Sequence, residues 1–275
     1  MEPSAKVICD SLSPDGVRLT TLEVVMHRFV LAELNTHRVF SRNSASSRAI
    51  PVRRQLERVM DDPAIPVVWP SEQPGMQGGD AINSPREAEM VWRRAADAAV
   101  AHAEHLVSLG VHKSVTNRLV EPFMWHTVVV TATEWDGFWK QRCSPLAQPE
   151  MRAAAEAMRE AHCLSDPTEF EYGWWHMPYL DGDTIVDVTS AGPEHWATET
   201  LKKISAARCA RVSYLTQDGV RDWEKDVEMF DRLVSADPAH ASPLEHVARP
   251  DYPDEEDVPG NFRGWTQLRH EVLGW

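Results

Sequence analysis

The segment His37-Arg38-Val39-Phe40-Ser41-Arg42-Asn43-Ser44-Ala45-Ser46-Ser47-Arg48 sets three arginines among four serines and one asparagine within twelve residues. That mixture suits an anion. Guanidinium forks match the oxygens of a phosphate, and Ser, Asn and turning backbone N–H groups add short-range donors. A solvated basic loop has the same composition, so the segment taken alone leaves both readings open. Further along, Arg118 lies in a helical pattern before Pro122, and Arg142 closes another beside Cys143. Cys143 next to an arginine invites a low-pKa thiolate, but a bystander cysteine is the simpler reading. His102 and His105 sit near an apolar helical stripe without a ligand set at metal spacing, and read as core histidines rather than a metal site.

The elements that must carry these residues form an α+β pattern, a mixed or antiparallel sheet flanked by helices in one domain over residues 1–275. Residues 4–12 and 17–26 read as strands around the turn Ser13-Pro14-Asp15-Gly16. A short helix over 29–35 delivers the arginine-serine segment, which is expected to cross a pocket as ordered loop. A helix opens at Pro51, 64–69 reads as a strand, and 70–83 as a loop. Ser84, Pro85 and Glu87 have the chemistry to start a long helix closed by Gly110, with Val91, Ala95, Ala98, Leu106 and Leu109 as its packing stripe. A helix over 110–123 carries Asn117 and Arg118, and 124–133 is a buried strand. Helices follow over 134–142 and 149–162. Residues 163–193 are irregular, aromatic and acidic, suited to a lid or a joining insertion. A helix resumes at Glu194, and another spans 220–235.

Composition narrows the function. The 275 residues suffice for a full core. A formal charge of −14 excludes a general nucleic-acid binder, which needs a broad basic footprint, yet is compatible with a small anion held by local arginines. The four cysteines lack paired spacing and read as reduced thiols. With no apolar run of about 20 residues and no signal-peptide pattern, the expectation is a cytoplasmic protein without membrane contact.

The spacing H-R-x-x-S-x-N-x-x-S-x-R resembles the signature of the flavin-dependent thymidylate synthases, R-H-R-x-x-S-x-N-E-x-S-x-R-Y. His37, Arg38, Ser41, Asn43, Ser46 and Arg48 match, while Thr36, Ser44 and Ala49 replace its leading Arg, its Glu and its Tyr. Ala210-Arg211-Val212-Ser213-Tyr214 resembles the family's A-R-V-S-[FY], and His240-Ala241-Ser242-Pro243-Leu244-Glu245-His246 its H-x-[ST]-P-[FL]-E-H. In the family these two segments precede the signature; here they follow it, so the chain reads as circularly permuted, with 163–195 joining the old ends.

The resemblance implies a methyltransferase that moves a one-carbon unit from methylenetetrahydrofolate to C5 of a pyrimidine deoxynucleotide, dUMP to dTMP, using FAD reduced by NADPH. It implies a nucleotide site of Glu33, Ser46, Ser47, Arg48, Arg118 and Arg142, with Arg142 polarising the ring. It implies flavin contacts at Thr36, His37, Arg38, Ser44, Thr131, Thr133, Ser213, His240, Ser242 and Glu245. Thr131-Ala132-Thr133 stands where the family commonly has an Asn-x-Arg at the strand end, and Gly137 stands at a later Asn position. Sites between subunits of a homotetramer are implied as well. Glu33 stands where the family often has Gln, which keeps a dCMP methylase or hydroxymethylase open, and a non-catalytic nucleotide-binding homologue is the rival from another class.

Overall fold

A computed structural model of the chain describes residues 1–212, 222–255 and 260–274. β1 (Ser4–Leu12) and β2 (Arg18–His27) pair antiparallel across a turn in which Gly16 takes φ +77°, a conformation that favours glycine. A 3-10 turn (Arg28–Val30) and the one-turn helix α1 (Leu31–Leu34) lead to β3 (Ser41–Ser44). Then come α2 (Val52–Asp61), α3 (Pro85–Ser108), α4 (Lys113–Thr116), a 3-10 turn (Asn117–Phe123) and β4 (Trp125–Ala132). The helices α5 (Asp136–Arg142) and α6 (Pro149–Leu164), the short β5 (Thr168–Glu169), and α7 (Gly182–Ala191), α8 (Glu194–Arg211) and α9 (Trp223–Ser235) follow. A 3-10 turn (Ser242–His246), β6 (Ala248–Pro250), β7 (Trp265–Gln267) and α10 (Leu268–Leu273) complete the described chain.

The main sheet has the order β3-β4-β2-β1-β5, antiparallel except for β5, which runs parallel to β1. This is the expected α+β class with a mixed sheet. Strand alternation sorts the side chains. Leu22, Val24, Met26, Val128 and Val130 face α1, α5 and α6, where they are buried with Phe40, Phe138, Met151 and Met158. Each such side chain contributes roughly 1.5–3 kcal/mol by leaving water. A second cluster joins α2, α3 and the 117–123 turn.

Several expectations need correction. The arginine-serine segment is not all loop: Ser41–Ser44 pairs with β4 as an edge strand, in register Ser41↔Thr131 to Ser44↔Val128. Residues 64–69 form no strand, because side chains and turns take their backbone groups. Ile65 O bonds the His27 ring, and Val67 N donates to Glu150. The buried stripe of α3 is Ala96, Val100 and Ala103, while Val91 and Leu109 are exposed, as are His102 and His105. Residues 110–123 split into α4 and a 3-10 turn containing Pro122. Within 163–193, α7 is a regular helix whose N-cap Asp181 accepts from Thr184 N. Among the described residues, no helix is long and apolar enough to cross a membrane and no His/Cys/Asp/Glu group is placed to hold a metal ion.

Candidate active site

Alternation along β3 splits the arginine-serine segment between the two faces of the sheet. Arg42 lies on the α1 side, its guanidinium donating to Leu34 O and His37 O at 3.2 Å each. Arg142 reaches the same corner from the end of α5. Its Nε donates to His37 Nε2 at 2.9 Å, and its Nη2 to Thr36 Oγ1 at 3.0 Å and Glu33 O at 3.3 Å. The Glu33 carboxylate stands 3.8 Å from Arg142 Nη1. Burial, then the Arg142 and Arg42 charges, push His37 down to about 4, so its imidazole is neutral and free to accept from Arg142. Burial raises the Glu33 carboxyl despite Arg142. It also raises the Cys143 thiol, which opposes a thiolate nucleophile there. The structure therefore brings Glu33, Thr36, His37 and Arg142 together, with Arg142 still 19% exposed.

On the other face, Asn43 donates to Cys209 O at 2.6 Å and accepts from Ser242 Oγ at 3.5 Å. Ser41 Oγ accepts from Gln267 Nε2 at 2.9 Å. Gln267 also donates to Glu245 O at 2.8 Å, and the Glu245 carboxylate pairs with Arg269 at 2.9 Å. The segments around 37–48, 209 and 240–246 thus meet at one strand, under a tail whose Gln267 and Arg269 the sequence did not assign. Thr131 is fully buried in a hydrogen-bonded chain: Ser11 to His176 at 2.8 Å, His176 to Thr21 at 2.7 Å, Thr21 to Thr131 at 2.7 Å, and Thr131 to His246 at 2.8 Å. Thr133 accepts from Arg263 N at 3.1 Å. His240 and Ser242 are exposed, Ser44 is half-buried, and Ser213 lies outside the described residues.

The far end of the segment is built on a carboxylate. Ser47 Oγ donates to Glu121 Oε1, as do Arg118 Nη1 at 2.9 Å and Arg28 Nη2 at 3.3 Å. Burial would raise the Glu121 carboxyl, but these three donors outweigh it and the net shift is downward. Asn117 donates to Ser47 O at 2.7 Å and Ile50 O at 3.0 Å, pinning the loop. Ser46 Oγ accepts from Arg48 N at 3.3 Å, while the Arg38 and Arg48 side chains are exposed. Ser47 and Arg118 come together here, and no hydrogen bond or ion pair among the described residues joins this group to Arg142.

Compared with known proteins, residues 17–168, more than half of the chain, match the family described as thymidylate synthase complementing protein. This chain belongs to that family, the flavin-dependent thymidylate synthases. It is an enzyme of the methyltransferase class. The match runs from β2 into β5 and contains the arginine-serine segment, Arg118 and Arg142, but not the segments at 210–214 and 240–246. Among solved structures, a UMP/dUMP methylase PolB from Streptomyces cacaoi bound with 5-Br UMP is 15% identical, covers 59% of this chain and 89% of that one, with TM-score 0.47. The same methylase bound with 5-Br dUMP gives 14%, 59%, 90% and 0.49. No curated protein matches in sequence.

The family's flavin can be tested against the residues present. Gln267 Oε1, Arg269 Nε and His246 Nε2 are buried without a partner among the described residues, around Glu245 and Ser41. With exposed Ser242 beside Asn43, these unmatched groups fit a large polar cofactor at this face.

Proposed function

We propose that the enzyme transfers a one-carbon unit from methylenetetrahydrofolate to C5 of dUMP, giving dTMP, with FAD reduced by NADPH. The observation that carries this reading is the Arg142 guanidinium, held by Thr36, by a neutral His37 and beside Glu33, at the start of the arginine-serine segment. A fixed cation facing the N3/O2 side of a pyrimidine stabilises the negative charge that develops there and raises nucleophilicity at C5. Ser46, Ser47, Arg48 and Arg118 hold the phosphate, which displaces the Glu121 carboxylate from Ser47 and Arg118. When bound, the flavin supplies the hydride that side chains cannot. Thr36, His37, Arg38, Ser44, Thr133, His240, Ser242 and Glu245 would hold it, and Thr131 supports them from beneath through His246.

Contacts of Asn43 with Cys209 and Ser242 support the permuted order, since segments far apart in the chain meet at the signature strand. Residues 163–195 then join the old ends. A homotetramer with shared sites is supported by β3 lying at the sheet edge with exposed Arg38 and Arg48 beside it. Light scattering should return about four times the chain mass, and a fully active monomer would refute the shared-site reading.

A second reading, dCMP as substrate, rests on Glu33: a carboxyl raised by burial beside Arg142 can donate to or accept from a cytosine edge. Tritium release from C5-labelled dUMP and dCMP, with and without the folate, separates the two. A colourless protein that FAD cannot reconstitute would instead support a non-catalytic homologue.

A further inference from the structure

His176 lies between β5 and α7, in the segment read from the sequence as a lid or joining insertion, yet it is fully buried and bonded at both ring nitrogens. Its Nδ1 meets Ser11 Oγ of β1 at 2.8 Å, and its Nε2 meets Thr21 Oγ1 of β2 at 2.7 Å. Thr21 and Thr131 are register partners across β2 and β4, which sets their hydroxyls 2.7 Å apart. Thr131 Oγ1 then ends the chain 2.8 Å from His246 Nδ1. The backbone makes a second link: His176 N donates to Ala248 O at 2.7 Å, and Ala248 N to His176 O at 3.2 Å. One residue of the 163–193 segment thus grips the end of the Ser242–His246 turn by a side-chain route and a main-chain route.

The side-chain route also fixes protons. Burial holds both imidazoles at about 3, so each ring is neutral and carries a single proton. The Thr21 and Thr131 hydroxyls have no other partner among the described residues, so their protons stay inside the chain. Only two patterns then give every bond its proton. In one, Ser11 donates to His176, whose Nε2–H donates to Thr21, Thr21 to Thr131 and Thr131 to His246, which leaves the His246 proton on Nε2. In the other, every donor is reversed and both rings carry the proton on Nδ1. The two histidines therefore share one tautomer, and that choice decides whether His246 Nε2 is a donor or an acceptor. Apolar residues of the same shape would cost little stability in these places, so the polar chain points to orientation rather than to stability.

We propose that His176 is a positioning residue for the candidate active site, acting through Thr21 and Thr131 to set the tautomer of His246 and to hold the Ser242–His246 turn against the sheet. The role rests on the reading of this face as the flavin site. It gives the 163–193 segment a part in the enzyme beyond joining two pieces of chain. Ser242 and Glu245 stand on the turn that His176 holds, and Ser41 of the signature strand is the register partner of Thr131.

Histidine side-chain nitrogen NMR on the full chain, with FAD titrations followed by flavin fluorescence, tests it. His176 and His246 are expected to carry the proton on the same ring nitrogen in the wild type. His176→Phe should weaken FAD at least about tenfold, and Thr131→Val, which keeps the shape and deletes only the hydroxyl, should do the same if the first variant fails to fold. Thr131→Ser, which restores the hydroxyl, should bind FAD within about threefold of the wild type. A loss of affinity in Thr131→Val that Thr131→Ser does not repair marks a packing role and overturns the proposal, as does unchanged affinity in the folded variants. Rings protonated on different nitrogens in a wild type that binds FAD overturn the relay alone. A wild type that takes up no FAD overturns the flavin reading and the positioning role with it.

Discussion

At the residue scale, the three arginines of the signature segment do different things, and spacing alone does not separate them. Arg42 is spent on the carbonyls of Leu34 and His37, whereas Arg38 and Arg48 point outward. Arg118 and Arg142 stand out in the sequence by their type and position, but the groups they bond to do not, because Glu121 and Thr36 carry no motif that announces them. The proposed chemistry makes Arg142→Lys a severe change: a point charge does not reproduce the fork, and kcat should fall about 100-fold with the fold intact by circular dichroism. Glu121→Gln should act in the opposite sense. With Ser47 and Arg118 released from a carboxylate, the KM for nucleotide should drop several-fold at unchanged kcat, and an increase would contradict the phosphate-displacement account. His37, held near 4, is neutral throughout the physiological range. Its protonation would set a second cation against Arg142 only as the pH falls toward 4. Initial rates should therefore show no inflection attributable to His37 between about pH 5 and 8, where an unperturbed histidine would titrate.

At the element scale, the strands and helices with clean patterns could be read in advance. β1, β2, β4, α3 and α6 fall within a few residues of expectation, because alternation or helical spacing fixes them. β3 was hidden, since Ser-Arg-Asn-Ser has no apolar alternation and becomes a strand only because β4 offers an unpaired edge. The α3 stripe was misplaced for a related reason. Its sequence is apolar on more than one side, and α2 with the 117–123 turn selects the side bearing Ala96, Val100 and Ala103. Asn43 ties β3 to α8 and the 242–246 turn. Asn43→Ala should cost about 1–3 kcal/mol of stability, through the orphaned Cys209 carbonyl, measured by urea denaturation. A loss below that range would show that the three segments are held together by packing alone.

For the whole molecule, the tail at 260–274 was not legible from the sequence, because Gln267 and Arg269 acquire meaning only when folded onto Ser41 and Glu245. The fold also buries neutral histidines: burial holds His126, His176 and His246 at about 3. Their unfolded counterparts take up protons near pH 6.5, so the unfolded state binds more protons below that pH, and stability is lost as pH falls from about 6.5 toward 3. Melting temperature should decline across that window and be nearly flat above it, and a flat profile down to pH 4 would contradict the burial of these rings. The most direct test of the central claim is tritium release from C5-labelled dUMP by the FAD-loaded protein with NADPH and methylenetetrahydrofolate. Release that requires the folate, yields dTMP and collapses in Arg142→Lys is the result predicted. A flavin-loaded, folded protein that leaves the C5 tritium of dUMP in place would contradict it.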